Sequence, residues 1–394
     1  MVINSQSQSA YIIDAVRTPV AKGKPNGAYA DIHPVDLHAH TLAALVERTG
    51  IDPAVVDDVI SGAVGQIGEQ SGNTARWALL GAGFPESVPG VTVDRQCGSS
   101  QQAVHFAAQG VIAGAYDVAI ASGVESMSRI PIGSQFQGKD FAGSRVGQRY
   151  DHGLVPQGVS AELIANKWDL SRARLDEFSA ESHQRAARAW KDGLFDSQVA
   201  PITHLRVDET IRPETTAETL AGLRLAFKDD HWVERYPDVD WRVTAGNSSP
   251  VNDGSAAVLV ASGEATERLG LTPRARVHAF AVSGDDPIYM LTGIIPATQK
   301  VLAKAGLTID DIDVFEVNEA FASVVLAWQK ETGADLGKVN INGGAIAIGH
   351  PLGASGARLM TTLVNNLEQT GGRYGLQVMC EAGGLANATI IERV

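Results

Sequence analysis

Apolar residues recur along the chain in short runs separated by longer amphipathic stretches, the pattern of strands alternating with helices. Residues 10–15 read as a strand. Pro34 and Gly50 then bracket a helix, with proline at its first position and glycine just past its end. Asp52-Pro53 opens another helix, and residues 59–64 form the strand after it. Such alternation argues for α/β layers.

The order then repeats. A strand at 91–93 runs through Cys97-Gly98-Ser99-Ser100 into a helix over 101–112, and a strand at 118–121 ends in the turn Ser122-Gly123. Far along the chain, a strand at 339–341 leads through a Gly-rich loop containing His350 into a helix over 353–367. A strand at 376–379 follows and ends at Cys380. Acidic turns feed apolar strands at both 57–64 and 311–317, so the chain reads as two related α/β halves. Between them the character changes. Residues 125–242 are more charged and more helical, with Ser171 and Asp176 as helix starts and with Trp232, Tyr236, Pro237 and Trp241 in an irregular run. This stretch reads as a covering loop domain inserted at the end of the first half. The division is 1–124, 125–242, a return segment 243–271 and 272–394.

Charge and composition narrow the function. The 394 residues are 44% hydrophobic and 20% charged, which suits an ordinary globular chain rather than a disordered or fibrous one. With 32 basic against 45 acidic residues, the net charge of −13 and the lack of a basic cluster exclude nucleic acid as an expected partner. No apolar run is long enough for a membrane helix, and the Ser/Gln-rich start lacks the features of a signal peptide. Two cysteines make no disulfide framework, so a reducing cytoplasm is the expected compartment.

Those cysteines instead suggest chemistry. Cys97 lies between a strand and a helix, where the helix dipole would lower a thiol pKa from about 8.5. The bland reading is a buried packing cysteine. His350 occupies in the second half about the place of Cys97 in the first, boxed by glycines and Pro351, and such a pair can act as nucleophile and base. Cys380 ends a strand beside a Gly-rich turn. Asn318 follows the strand 314–317 and can reach the same edge, although alone it reads as a helix cap. His38 and His40 lie two apart and make a poor metal pair, and no metal or nucleotide motif occurs.

Taken together, Cys97-Gly98-Ser99, Gly123-Val124-Glu125-Ser126-Met127-Ser128, Thr244-Ala245-Gly246-Asn247-Ser248-Ser249, Asn318-Glu319-Ala320-Phe321 and Gly349-His350-Pro351 resemble the motifs of the thiolases, along essentially the whole chain. The resemblance implies an α/β thiolase-like fold: two pseudo-repeated five-stranded βαβαβαββ halves in an α-β-α-β-α core, plus a loop domain. It also implies a mechanism in which Cys97 attacks the keto carbon of a 3-oxoacyl-CoA, His350 takes its proton and Cys380 protonates the leaving enolate. Asn318 with His350 would form one oxyanion hole, and the backbone at Cys97 and Ala382 the other. Ser249, Ala245 and Arg224 match CoA-binding positions. Coenzyme A is thus a co-substrate, with no permanently bound cofactor and no metal, and a homodimer or homotetramer is expected.

Three departures qualify the match. Ala382 replaces a customary glycine, Pro156-Gln157-Gly158 replaces the His-Met-Gly of short-chain enzymes, and residues 231–240 extend the loop with aromatic groups. The segment Asp94-Arg95-Gln96-Cys97 most resembles actinobacterial thiolases of lipid and steroid breakdown. The expectation is therefore a degradative enzyme that releases acetyl-CoA or propionyl-CoA from a bulky 3-oxoacyl-CoA. The alternatives are a short-chain acetoacetyl-CoA thiolase and a weakly catalytic thiolase-like CoA-binding protein. A ketoacyl-synthase type would not need Cys380, and a Cys–His hydrolase would not need CoA.

Overall fold

Ten strands carry the pattern: β1 Ala10–Arg17, β2 Ala21–Lys22, β3 Asp58–Gly62, β4 Gly90–Val93, β5 Val118–Ser126, β6 Asn252–Ser262, β7 Ala275–Gly284, β8 Val314–Val317, β9 Tyr374–Glu381 and β10 Leu385–Arg393. They are taken from a computed structural model that describes residues 9–150 and 153–394. The Ser/Gln-rich start, at 1–8, lies outside the described residues. The strand order is β4-β3-β5-β6-β1-β7-β10-β9-β8, with β2 on the flank of β6. The two halves share most of their pairing order. A parallel pair (β3 with β5, β8 with β9) is followed by two antiparallel pairings. The first half has β4 parallel to β3 outside this, whereas among the described residues the second half has four strands and not the expected five. The halves meet where Tyr11 and Ile12 of β1 face Arg276 and Ala275 of β7.

Every residue of β5 and β6 is buried, which requires helices on both faces. Pro34–Thr49 and Thr74–Gly81 cover the outer face of the first half. Ser99–Ile112 and Ser355–Thr370 lie between the halves, where Ala103, Ala107 and Val111 of one pack with Ala357, Met360 and Val364 of the other. Ile294–Ala305 and Ala322–Thr332 cover the second half. Five layers result. Residues of the intervening segment, including Val159, Ile164, Leu175 and Phe178, join the core of the second half, although the segment leaves the chain at the end of the first.

Several local expectations hold. Pro34 opens its helix and Gly50 closes it at φ 67°, and Ser171 caps Arg172–Lys191 by accepting from Arg174 N. Others change for tertiary reasons. β5 does not turn at Ser122-Gly123 but continues to Ser126, because β6 offers it backbone partners that far. Asp176 is not a helix start. It is buried within the helix and accepts from Asn247 Nδ2 at 2.9 Å and Arg172 Nε at 2.6 Å. Residues 339–341 form no strand, only a bridge from Val339 to Phe315. Asn340 sits at φ 46°, and its side-chain amide replaces the missing ladder, accepting from Val317 N at 2.9 Å and donating to Val317 O at 2.8 Å. The 231–240 extension is not wholly irregular, since it contains the short helix Asp230–Arg235. Among the described residues no helix is long and apolar enough to cross a membrane.

Glu125, at the end of β5, ties the halves together. Its carboxylate accepts from Val64 N, Gly65 N and Gln70 Nε2 in the first half and from Gly353 N in the second. Glu125→Ala strands these buried donors, each at about 1–3 kcal/mol. The expected result in urea unfolding is a loss of roughly 3 kcal/mol or more, and a change below about 1 kcal/mol would show that the four bonds do not hold the halves.

Candidate active site

A tight turn delivers Cys97 from β4 to the helix Ser99–Ile112. Asp94 Oδ1 accepts from Gln96 N at 2.6 Å, and Ser99 Oγ accepts from Arg95 N at 2.9 Å while donating to Gln96 O at 2.6 Å. Gln96 is thereby held at φ 49°, a conformation few side chains adopt without such support. Cys97 is only 4% exposed and packs with Val64, Met127, Leu352, Leu359 and Met379. Burial raises its thiol pKa well above the ordinary value, Cys380 and Glu381 add to the effect, and a hydrogen bond with the Gln157 side chain opposes it. The expectation of a lowered pKa is therefore overturned for the resting chain. Loss of water outweighs the helix dipole, and the thiol is neutral.

Cys380 reaches the same interior from β9. Its thiol is fully buried and pushed up to about 12, first by burial, with the nearby Asn318 side chain and Ala320 backbone opposing the shift. Asn318 leaves β8 with its backbone N–H on Val378 O at 3.0 Å, and neither its side-chain oxygen nor its side-chain nitrogen has a hydrogen-bond partner. Its amide thus faces the thiol with bonding capacity to spare.

His350 is oriented from three sides. Gly349 adopts φ 114°, and a Cβ there would lie 2.6 Å from the Asn252 side chain. That close approach lets Asn252 Oδ1 accept from His350 N at 2.9 Å. On the ring, Nδ1 lies 2.6 Å from Ser355 Oγ, whose own proton goes to Pro351 O at 2.8 Å. Ser355 can then only accept, so Nδ1 carries the hydrogen and Nε2 the lone pair. Nε2 is buried without a protein partner. Burial, helped by the Arg358 charge, lowers the imidazole to about 3 and keeps it neutral. The loop leading to it is held by Glu319, which accepts from Ser182 Oγ, Asn340 Nδ2 and Ile346 N.

The segment matched to CoA binding lies against the Asn318 loop. Ser249 N donates to Ala320 O at 2.9 Å, and Ser248 pairs with Phe321. Ser249 is half-buried and Ala245 exposed. Arg224 is also exposed and adjoins Leu225, which bridges to Thr244, the neighbour of Ala245. Ala382 needs no glycine. It is not among the residues with positive φ, whereas Gly383 and Gly384 take φ 78° and 83°. The sequence reading passed over Ser355, Asn252 and the thiol contact of Gln157. Asn252 and Gln157 carry no spacing signal, because their partners are distant in the chain, and Ser355, although only five residues from His350, acts through a turn that no periodicity reports. Among the described residues no cluster of three His, Cys, Asp or Glu could hold a metal.

Comparison with known proteins identifies the family. Residues 10–264 match the thiolase N-terminal domain and residues 271–393 the thiolase C-terminal domain. The chain is 51% identical to the steroid 3-ketoacyl-CoA thiolase FadA6 of Mycobacterium tuberculosis, over 98% of this chain and 94% of that protein. It is 43% identical to a 3-ketoacyl-CoA thiolase of Aliivibrio salmonicida, over 98% and 100%. Its fold superposes on the crystal structure of the Bacillus anthracis acetyl-CoA acetyltransferase with a TM-score of 0.88, at 36% identity over 99% and 100% of the two chains. With both domains matched and the fold in register, the chain belongs to the thiolase family and is an acyltransferase.

Proposed function

We propose that this thiolase degrades a 3-oxoacyl-CoA with a bulky, ring-bearing acyl group, of the kind met in steroid catabolism, with Cys97 as its nucleophile. One observation carries the assignment. Two buried neutral thiols, one from each half, act on each other across the interior, and the imidazole of His350 carries a buried, unpartnered Nε2 lone pair. A neutral Cys–His pair is ready for proton transfer coupled to attack. As Cys97 Sγ bonds to the keto carbon, its proton passes to His350 Nε2. Cleavage of the C–C bond leaves the acyl group on Cys97 and the electron pair on the acetyl-CoA enolate, which takes the Cys380 proton. The Asn318 amide, with His350, stabilises the enolate oxygen, and the N–H groups at Cys97 and Ala382 serve the thioester oxygen. CoA then gives its thiol proton to the Cys380 thiolate and displaces the acyl group as a shortened acyl-CoA, while the proton on His350 returns to the departing Cys97 sulfur. Ser249, Ala245 and Arg224 are the proposed CoA contacts.

The bulky substrate is supported by the likeness to FadA6 and by the 231–240 extension. Trp232 and Tyr236 stack with centroids 6.5 Å apart, and Tyr236 lies near Tyr289 and Asp286. That loop in turn rests on the turn after Cys380, where Asp285 N donates to Gly384 O at 2.7 Å. The extension is thus linked to the thiol edge and is the proposed wall of the acyl pocket. A homodimer is supported by the unpaired outer edge of β4, beside which Val91 and Phe106 are exposed.

Cys97→Ala is expected to lower turnover by about 10³-fold or more, and Cys380→Ser to leave acylated Cys97 detectable by mass spectrometry while slowing release. An acyl group trapped on any other residue would sink the assignment. Tyr236→Ala should reduce kcat/KM for a ring-bearing substrate relative to acetoacetyl-CoA by about tenfold, and an unchanged ratio would remove the extension from the pocket. Because His350 is lowered from 6.5 to about 3, the base remains unprotonated as pH falls through 6.5. Single-turnover acylation should therefore hold its rate between about pH 7.5 and 5.5, whereas a half-loss near 6.5 would mean a solvated histidine.

A further inference from the structure

Glu381 ends β9 one residue beyond Cys380, so strand alternation turns its side chain to the opposite face. There it meets Gly98, the residue after Cys97, and a Cβ on Gly98 would overlap the Glu381 carboxyl. The carboxyl is completely buried, and neither oxygen has a hydrogen-bond partner. An ionised carboxylate so placed is costly, and each orphaned oxygen calls for a reason. The charged and titratable groups around it are Arg95 and Asp94, from the turn before the nucleophile helix, and the two thiols. Arg95 does not neutralise it by contact, and its Nε is itself buried without a partner.

We propose that Glu381 is a positioning residue for the nucleophile: protonated, it leaves the Cys97 thiol free to give up its proton, and ionised, it opposes any negative charge on Cys97 and closes the site. The supporting physics is Coulombic. A charge on Glu381 disfavours the thiolate of both Cys97 and Cys380, and between groups this deeply buried that repulsion is weakly screened. Burial holds the Glu381 carboxyl well above the usual carboxylate range, so it is neutral at rest and loses its proton to solvent as pH rises. The glycine at 98 is then required by the carboxyl, and the carboxyl sets the alkaline limit of the reaction. This rests on the assignment of Cys97 as nucleophile.

The test is the pH dependence of alkylation by iodoacetamide, with the modified cysteine identified by peptide mass spectrometry, in wild-type protein and in Glu381→Gln, Glu381→Met and Glu381→Asp. Removing the charge should move the alkylation midpoint of Cys97 about one pH unit lower in the Gln and Met variants. The Asp variant, which keeps a charge, should remain near wild type. Met provides the neutral comparison if Gln prevents folding. Midpoints that coincide in wild type and either neutral variant would overturn the role of Glu381 while leaving Cys97 as nucleophile. Modification confined to Cys380 would overturn the nucleophile assignment and this inference with it.

Discussion

Removal of water from two thiols and one imidazole is the constraint on which the rest of this structure depends. Desolvation penalises charge, so Cys97 and Cys380 are raised and His350 is lowered, and all three rest neutral. A neutral nucleophile and a neutral base have no charge–charge attraction to hold them together. Their geometry must come from the scaffold, which explains why so much of it is devoted to orientation. Gly349 brings His350 N onto Asn252, Ser355 fixes the ring tautomer, and the strained Gln96 aims Cys97 inward. The charge that develops during reaction then falls on groups placed beforehand, and no water has to reorganise.

The scaffold solves a second problem with the same means. Active-site loops have backbone donors that neither sheet nor helix satisfies, and buried they would be costly. Here carboxylates collect them. Glu125 gathers donors from both halves, Glu319 holds the loop before His350, and Glu162 accepts from Arg242 N and Val243 N at the entry to the Thr244 segment. Asp208 does likewise for Val20 N while bound to the fully buried Arg17. Irregular backbone can therefore lie deep in the protein, next to the thiols, without becoming mobile surface loop. Glu381 is the exception, a buried carboxyl that gathers nothing, which is why it stands apart from the others.

Much of this was legible in the chain. Helix Pro34–Thr49 carries its start and stop in its own residues, and the two halves announce themselves by repeated strand–loop–helix order around Cys97 and His350. What failed locally failed for one reason. Gly123 looks like a turn residue until β6 supplies partners on its flank, and Asp176 looks like a cap until Asn247 binds it in the interior. Asn340 imitates a strand with its side chain, which no periodicity reports.

The sequence by itself therefore determined the α/β class, the pair of related halves, the family motifs and the identity of the residues able to do chemistry, because these depend on near neighbours and on residue type. Tertiary structure alone decided the protonation of those residues and their orientation. The thiol expected to be acidic at a helix start is instead raised, since the field of a helix end is local whereas desolvation is imposed by side chains from across the chain. The lone pair of His350 is set more locally, by the turn that brings Ser355 onto its ring, whereas Glu381 against Gly98 is a contact between distant segments that exists only once the halves have packed.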